Sequence, residues 1–227
     1  MNAAISADII ASTSLTAEDK RSLHHAIESY FDDMESLLSG KCDVYCRIVK
    51  GDYIECYLSD PRYVLRAALM LKTKVKGLTI QAANSDKRIK LFRTYGARIA
   101  MGVGDMKLVD KEQGILDGDA IYLSGRKMDE QKTSNKDKII VKNTLFFCSK
   151  DLELAQRCSV IAELLDFILN AATPKRCEIM YYRLLGKNET EVAEWLGVTQ
   201  SNVNQHSTST GWNAIDQAVR YFEQITF

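Results

Sequence analysis

Residues 42–58 read CDVYCRIVKGDYIECYL. β-Branched and aromatic residues fill both arms, and Lys50-Gly51-Asp52 divides them. This pattern predicts a β-hairpin with Gly-Asp at its tip. Upstream, residues 3–10 (AAISADII) predict a short apolar strand with Asp8 near its end, followed by a polar turn at Ser12, Thr13 and Ser14. Over 17–38 the residues Leu23, Ile27, Tyr30, Phe31, Met34 and Leu37 or Leu38 recur at helical spacing. Thr16 with Asp19 gives that helix a capping-box-like start, and Gly40 ends it.

Downstream, Pro61 opens a second helix through residue 76, with Val64, Leu65, Ala68, Leu69 and Leu71 apolar. The basic stretch 80–94 predicts a short helix, and 95–103 (YGARIAMGV) a strong strand. Residues 104–119 (GDMKLVDKEQGILDGD) read as a loop leading at Gly118 into a helix, AIYLSGRKMDEQ. Residues 138–141 and 145–148 are expected as the last strands. From 151 onward the pattern is wholly helical. The order β-α-β-β-α-β-α-β and then helices predicts an α+β chain in three parts. These are a mixed-sheet domain over 1–150, a connecting helix over 151–173, and a small all-α domain over 174–227.

The 227 residues carry 30 Lys+Arg against 30 Asp+Glu, with 46% hydrophobic and 26% charged residues. That excludes a disordered tail and a polybasic nucleic-acid arm. A net charge of zero means any phosphate contact must come from a local patch. No stretch approaches the roughly 18 apolar residues of a membrane span. No basic segment followed by an apolar run of signal-peptide type opens the chain. The six cysteines form no CxxC pair. Reduced, mostly buried thiols and a cytoplasmic location are the expectation.

Asp8 closes the first strand and Asp52 sits at the hairpin tip. In a β-α-β-β unit these points lie side by side, and paired carboxylates suit Mg²⁺ or Mn²⁺ beside a triphosphate. The bland alternative is that Asp8 caps a turn and Gly51-Asp52 is simply a good hairpin turn. The stretch Ser6-Ala7-Asp8-Ile9-Ile10-Ala11-Ser12-Thr13 resembles the first metal motif of class III nucleotide cyclases, and Lys50-Gly51-Asp52-Tyr53 resembles their second. Asp60-Pro61 with Leu65–Leu69, Arg98–Asp105, and Gly118–Arg126 resemble later cyclase segments in the same order. A closer likeness is to the SatD-like family of bacterial proteins, which are similar to cyclase domains and can carry a C-terminal helix-turn-helix. The resemblance implies a ferredoxin-like, nucleotide-cyclase-type domain. It places metal at Asp8 and Asp52, and a purine nucleotide near Ser12, Thr13, Gly51 and Arg126. The chain departs from the pattern at Tyr122, where cyclases have Asn, and at Tyr53, where SatD-like proteins have Glu.

Residues 188–206 (NETEVAEWLGVTQSNVNQH) resemble the helix-turn-helix of sigma-factor region 4 and LuxR-type regulators. Ala193 permits close helix approach, Gly197 makes the turn, Val198 plugs the core, Thr199 caps the second helix and Val203 faces inward. On that alignment Gln200, Ser201, Asn204 and Gln205 face the major groove, the cap Thr199 also belongs to the DNA-binding set, and Lys175, Arg176 and Lys187 touch phosphate. Residues 174–227 hold five basic residues against six acidic ones, so this is not a basic face. Use of the motif as a packing or protein-contact module is the competing reading. The stripe Ile215, Ala218, Val219, Phe222 and Ile225 reads first as packing and second as a dimer surface.

Three functional expectations result. The first is a DNA-binding regulator with a nucleotide- or metal-sensing N-terminal domain and a second copy of the chain as a partner. The second is a nucleotide cyclase or related nucleotidyl transferase with an appended helical module. The third is a non-catalytic scaffold.

Overall fold

The computed structural model describes residues 1–82, 86–131 and 141–227. The chain is α+β. Five strands form one mixed sheet in the order β2-β3-β1-β4-β7. β1 is Asn2–Ile9, β2 Val44–Lys50, β3 Tyr53–Leu58, β4 Ala97–Gly104 and β7 Leu145–Ser149. Among the described strands, β4–β7 is the one parallel pair. The predicted hairpin is β2–β3, with Gly51-Asp52 between the strands and a bulge between Ile48 and Lys50.

β1 lies at the centre and its residues alternate strictly. Ala3, Ile5, Ala7 and Ile9 join the main hydrophobic core, which α1 (Ala17–Leu38) and α2 (Val64–Gly77) cover. Ser6 faces the other way and shares a 2.8 Å hydrogen bond with Ser124 of α4 (Asp119–Glu130). α4 is close enough to β4 that a Cβ on Gly102 would lie 2.1 Å from the Ala120 carbonyl oxygen. Glycine at that position is a packing requirement.

Thr16 caps α1, accepting from the Asp19 N–H at 3.1 Å. Pro61 begins a short 3-10 turn that runs directly into α2. α3 spans Lys87–Tyr95, covering the second half of the basic stretch expected to be helical and taking in Tyr95, the residue expected to open the next strand.

The expected loop at 104–119 is instead a two-stranded ribbon, β5 (Met106–Asp110) paired with β6 (Ile115–Gly118). Its strands are mostly half-buried and carry little apolar alternation, which hides them from a periodicity reading. Of the strand expected at 138–141, residues 138–140 lie outside the described residues, and Val141 has no regular structure.

α5 (Leu152–Ala171) does more than connect. It packs on β7, and Ser159 Oγ donates to the Phe147 carbonyl at 3.3 Å. Asp166 of α5 accepts from the N–H and hydroxyl of Thr144, and from Lys72 Nζ of α2 at 3.0 Å. Four helices follow: α6 (Pro174–Leu184), α7 (Glu189–Leu196), α8 (Gln200–Thr210) and α9 (Trp212–Phe222). The core runs without a break from the sheet into this helical part, with α6 lying along α2. Ile215, Val219 and Phe222 are buried in it and Ala218 and Ile225 pack against it, so the α9 stripe is packing surface. No described helix is long and apolar enough to cross a membrane.

Candidate functional site: a cavity at the hairpin tip and a helix-turn-helix face

The first site begins with strand register. Asp8 of β1 lies opposite Tyr53 of β3 and Arg98 of β4, so the ends of β1 and the hairpin do meet. The side chains then part. Asp8 has the parity of Ser6 and lies on the α4 face, where its carboxylate is 3.5 Å from Arg98 Nε. Arg98 in turn donates to the carbonyl of Gln131 at the end of α4, at 2.5 Å. Asp52 accepts a hydrogen bond from the Ser12 hydroxyl and lines a cavity on the α1 face.

That cavity measures about 340 Å³ and brings together Ser12, Thr13, Gly51 and Asp52. Leu23 and Ile27 of α1 supply apolar lining, and Lys20 and His24 add basic groups. Ala11, just before Ser12, holds a left-handed φ of 58°. A non-glycine residue in that region is strained, and such strain concentrates where a loop is held for a purpose.

The structure thus gathers four of the expected ligand-site residues and separates two. Asp8 is turned to Arg98, and Arg126 lies exposed on α4. Tyr122, also on α4, is 62% exposed, and its hydroxyl bonds Asp117 of the ribbon. A guanidinium therefore stands beside Asp8 where a cation would bind, while Asp52 is engaged on the opposite face. The two carboxylates as placed do not fit a shared Mg²⁺ or Mn²⁺ site. Among the described residues, no group of three or more His, Cys, Asp or Glu that could hold a metal ion is gathered. The six cysteines are free thiols, and burial raises the pKa of Cys148 and of Cys158 to about 11.

Lys20 and His24 were not singled out from the sequence. The signal was present: they flank Leu23 and Ile27 on one face of α1, the i, i+4 arrangement of a pocket rim above an apolar floor.

The second site is built by local rules. Asn188 caps α7, accepting from the N–H groups of Thr190 and Glu191 at 2.9 and 3.0 Å, while Glu191 accepts from the Asn188 N–H at 2.8 Å. This reciprocal capping box fixes where α7 starts. Gly197 ends the helix with φ at 62°, a left-handed turn that costs other residues about 1 kcal/mol or more. Thr199 caps α8, accepting from the Asn202 N–H at 3.2 Å. Val203 is completely buried, while Gln200, Ser201, Asn204 and Gln205 form an exposed row.

Of the three basic residues expected to touch phosphate, two are paired within the chain. Lys175 pairs with Glu178 at 2.9 Å and Lys187 with Glu191 at 3.6 Å. Arg183 lies 4.8 Å from the Trp212 ring centre. Glu189 accepts from Gln200 Nε2 at 2.7 Å and from Asn204 Nδ2 at 3.2 Å. Glu189 was missed in the sequence because it reads only as an acidic first-turn residue of α7. The turn geometry is what carries it to the α8 face.

No family model, curated protein or solved structure matches the chain.

Proposed function

We propose that the protein is a DNA-binding regulator whose mixed-sheet part, a ferredoxin-like unit of cyclase type, senses a purine nucleotide at the cavity formed by Ser12, Thr13, Gly51 and Asp52. The α7–Gly197–α8 geometry is the observation that carries the DNA half. It presents Gln200, Ser201, Asn204 and Gln205 as one exposed row on a helix whose other face is anchored by Val203. Gln and Asn amides form paired hydrogen bonds to adenine in the major groove. Glu189 holds two of these amides in fixed orientations, which lowers the entropy lost when they engage a base.

Sensing is preferred to catalysis because Asp8 is paired with Arg98 and Tyr122 takes the position of the cyclase Asn. The ligand would contact Lys20 and His24 near one end of α1. Further along α1, Asp33 accepts a 2.5 Å hydrogen bond from Tyr181 of α6. One 22-residue helix thus runs from the cavity to α6, which packs on α7 and α8, and ligand binding would act by shifting populations along this path.

Fluorescence anisotropy on the DNA upstream of the protein's own gene, at low salt, tests the DNA half. Replacing Gln200 and Asn204 by Ala should weaken binding by tenfold or more, at about 1–3 kcal/mol per base contact. No binding by the wild type under these conditions would refute the reading. Thermal shift with ATP and GTP tests the sensing half. A shift lost in Ser12→Ala supports it, and no shift with either nucleotide refutes it.

A further inference from the structure

α5 is apolar on two sides. Leu154, Cys158, Ala162, Leu165 and Leu169 fill the core. On the opposite side Val160, Leu164 and Phe167 are 55%, 61% and 77% exposed. A second apolar stripe on a helix is normally covered like the first. The exposed residues are spaced four and three apart, and Ala171 continues the spacing. That is the seam pattern of a helix that packs along another helix.

We infer that this face of α5 binds the same face of a second copy of the chain, giving a two-fold homodimer. Area is the first argument. With the exposed stems of Gln156, Arg157 and Ala171, the seam offers roughly 500 Å² per chain, so a pair would bury on the order of 1,000 Å², the size at which a stable interface begins. The second argument is charge. The chain has a formal net charge of zero, so two copies meet no overall repulsion. The seam's apolar stretch from Val160 to Ala171 carries no charge, and where the same spacing continues toward the start of α5 it meets Arg157 and Glu153, which pair with each other at 3.9 Å and leave no net charge. The third is shape. Phe167 itself lines a cavity of about 310 Å³, together with Tyr95, Lys142, Glu163, Asp166 and Asn170. A phenyl ring from a second copy fits such a recess, and two-fold symmetry makes the exchange reciprocal.

The interface would also be stiff. The last carbonyls of α5, on Leu169 and Asn170, accept from Lys76 Nζ at 2.6 and 3.0 Å, which ties the helix end to α2. Two residues later α6 begins, so pairing α5 fixes how two copies of α8 stand relative to one another.

Sedimentation equilibrium of the full chain from about 1 to 100 µM, without DNA, tests the inference independently of the DNA reading. The wild type should pass from monomer to dimer within that range. Leu164→Glu and Phe167→Glu should each shift the midpoint upward by at least tenfold. Both positions are exposed, so the melting temperature should stay near that of the wild type, and Val160→Ser supplies a milder variant if either fails to fold. A wild type that is monomeric at the highest concentration overturns the inference. So does a dimer that these substitutions leave unchanged.

Discussion

Lys72 and Lys76 lie one turn apart on α2, and both ammonium groups are withdrawn from water. Lys72 meets Asp166 at 3.0 Å and donates to Thr144 Oγ1 at 2.6 Å. Lys76 has carbonyl acceptors only, on Thr94, Leu169 and Asn170. The two lysines should therefore respond differently to change. Lys72→Met leaves Asp166 as an unpaired buried charge, and denaturant titration should show a loss of about 3–5 kcal/mol. Adding Asp166→Leu should restore only part of it, because the Thr144 N–H and hydroxyl then lose their acceptor. For Lys76, burial lowers the pKa from 10.5 to about 8. Between those values the unfolded chain holds a proton that the folded chain has released, so this group's contribution to stability rises with pH. Below about pH 8 both states are protonated and the contribution is flat. The slope of stability against pH between 8 and 9 should be steeper in the wild type than in Lys76→Met. Equal slopes would show that the three carbonyls keep the ammonium charged throughout. Neither lysine was legible in the sequence. In an apolar periodic helix they read as surface positions, and only the arrival of α3 and α5 encloses them.

Elements governed by short-range rules were legible: the β2–β3 hairpin, the capped start of α1, and the α7–α8 turn with its Asn188, Gly197 and Thr199 signals. The candidate cavity was half legible. The topology rightly brings the end of β1 beside the hairpin, but nearness along a sheet says nothing of side. Asp8 shares the parity of Ala4 and Ser6, and that parity alone assigns it to the face opposite the α1 core. The approach of α4 to β4 was also hidden, since a small residue in a strand has many uses. It yields a firm expectation nonetheless. Gly102→Ala drives a methyl group into the Ala120 carbonyl, so α4 must shift. A loss of about 3 kcal/mol or more is expected in thermal or chemical unfolding. Gly125→Ala, on the same helix with open space around it, should be neutral or slightly stabilising.

The whole molecule is bound together across the boundary that the sequence placed near residue 150. Arg66 of α2 donates to Glu223 at 2.6 Å and to the Leu184 carbonyl at 2.7 Å, and Tyr181 reaches back to Asp33. With one continuous core, unfolding should be a single transition. Both tryptophans, Trp195 and Trp212, belong to the helical part, so their fluorescence reports on it while far-ultraviolet circular dichroism reports on the entire chain. Coincident denaturant midpoints are expected, and separated ones would mean that the helical part melts independently. The wholly helical pattern from residue 151 onward predicts separate parts, but a sequence pattern does not register how much surface two segments bury against each other. At the margin of the described sheet, β2 carries a bulge between Ile48 and Lys50. A straight margin would offer its backbone groups to any extended peptide and template a growing fibril. Bent and tipped by a lysine, this one is a poor template, which guards the protein against amyloid-type growth when it is crowded.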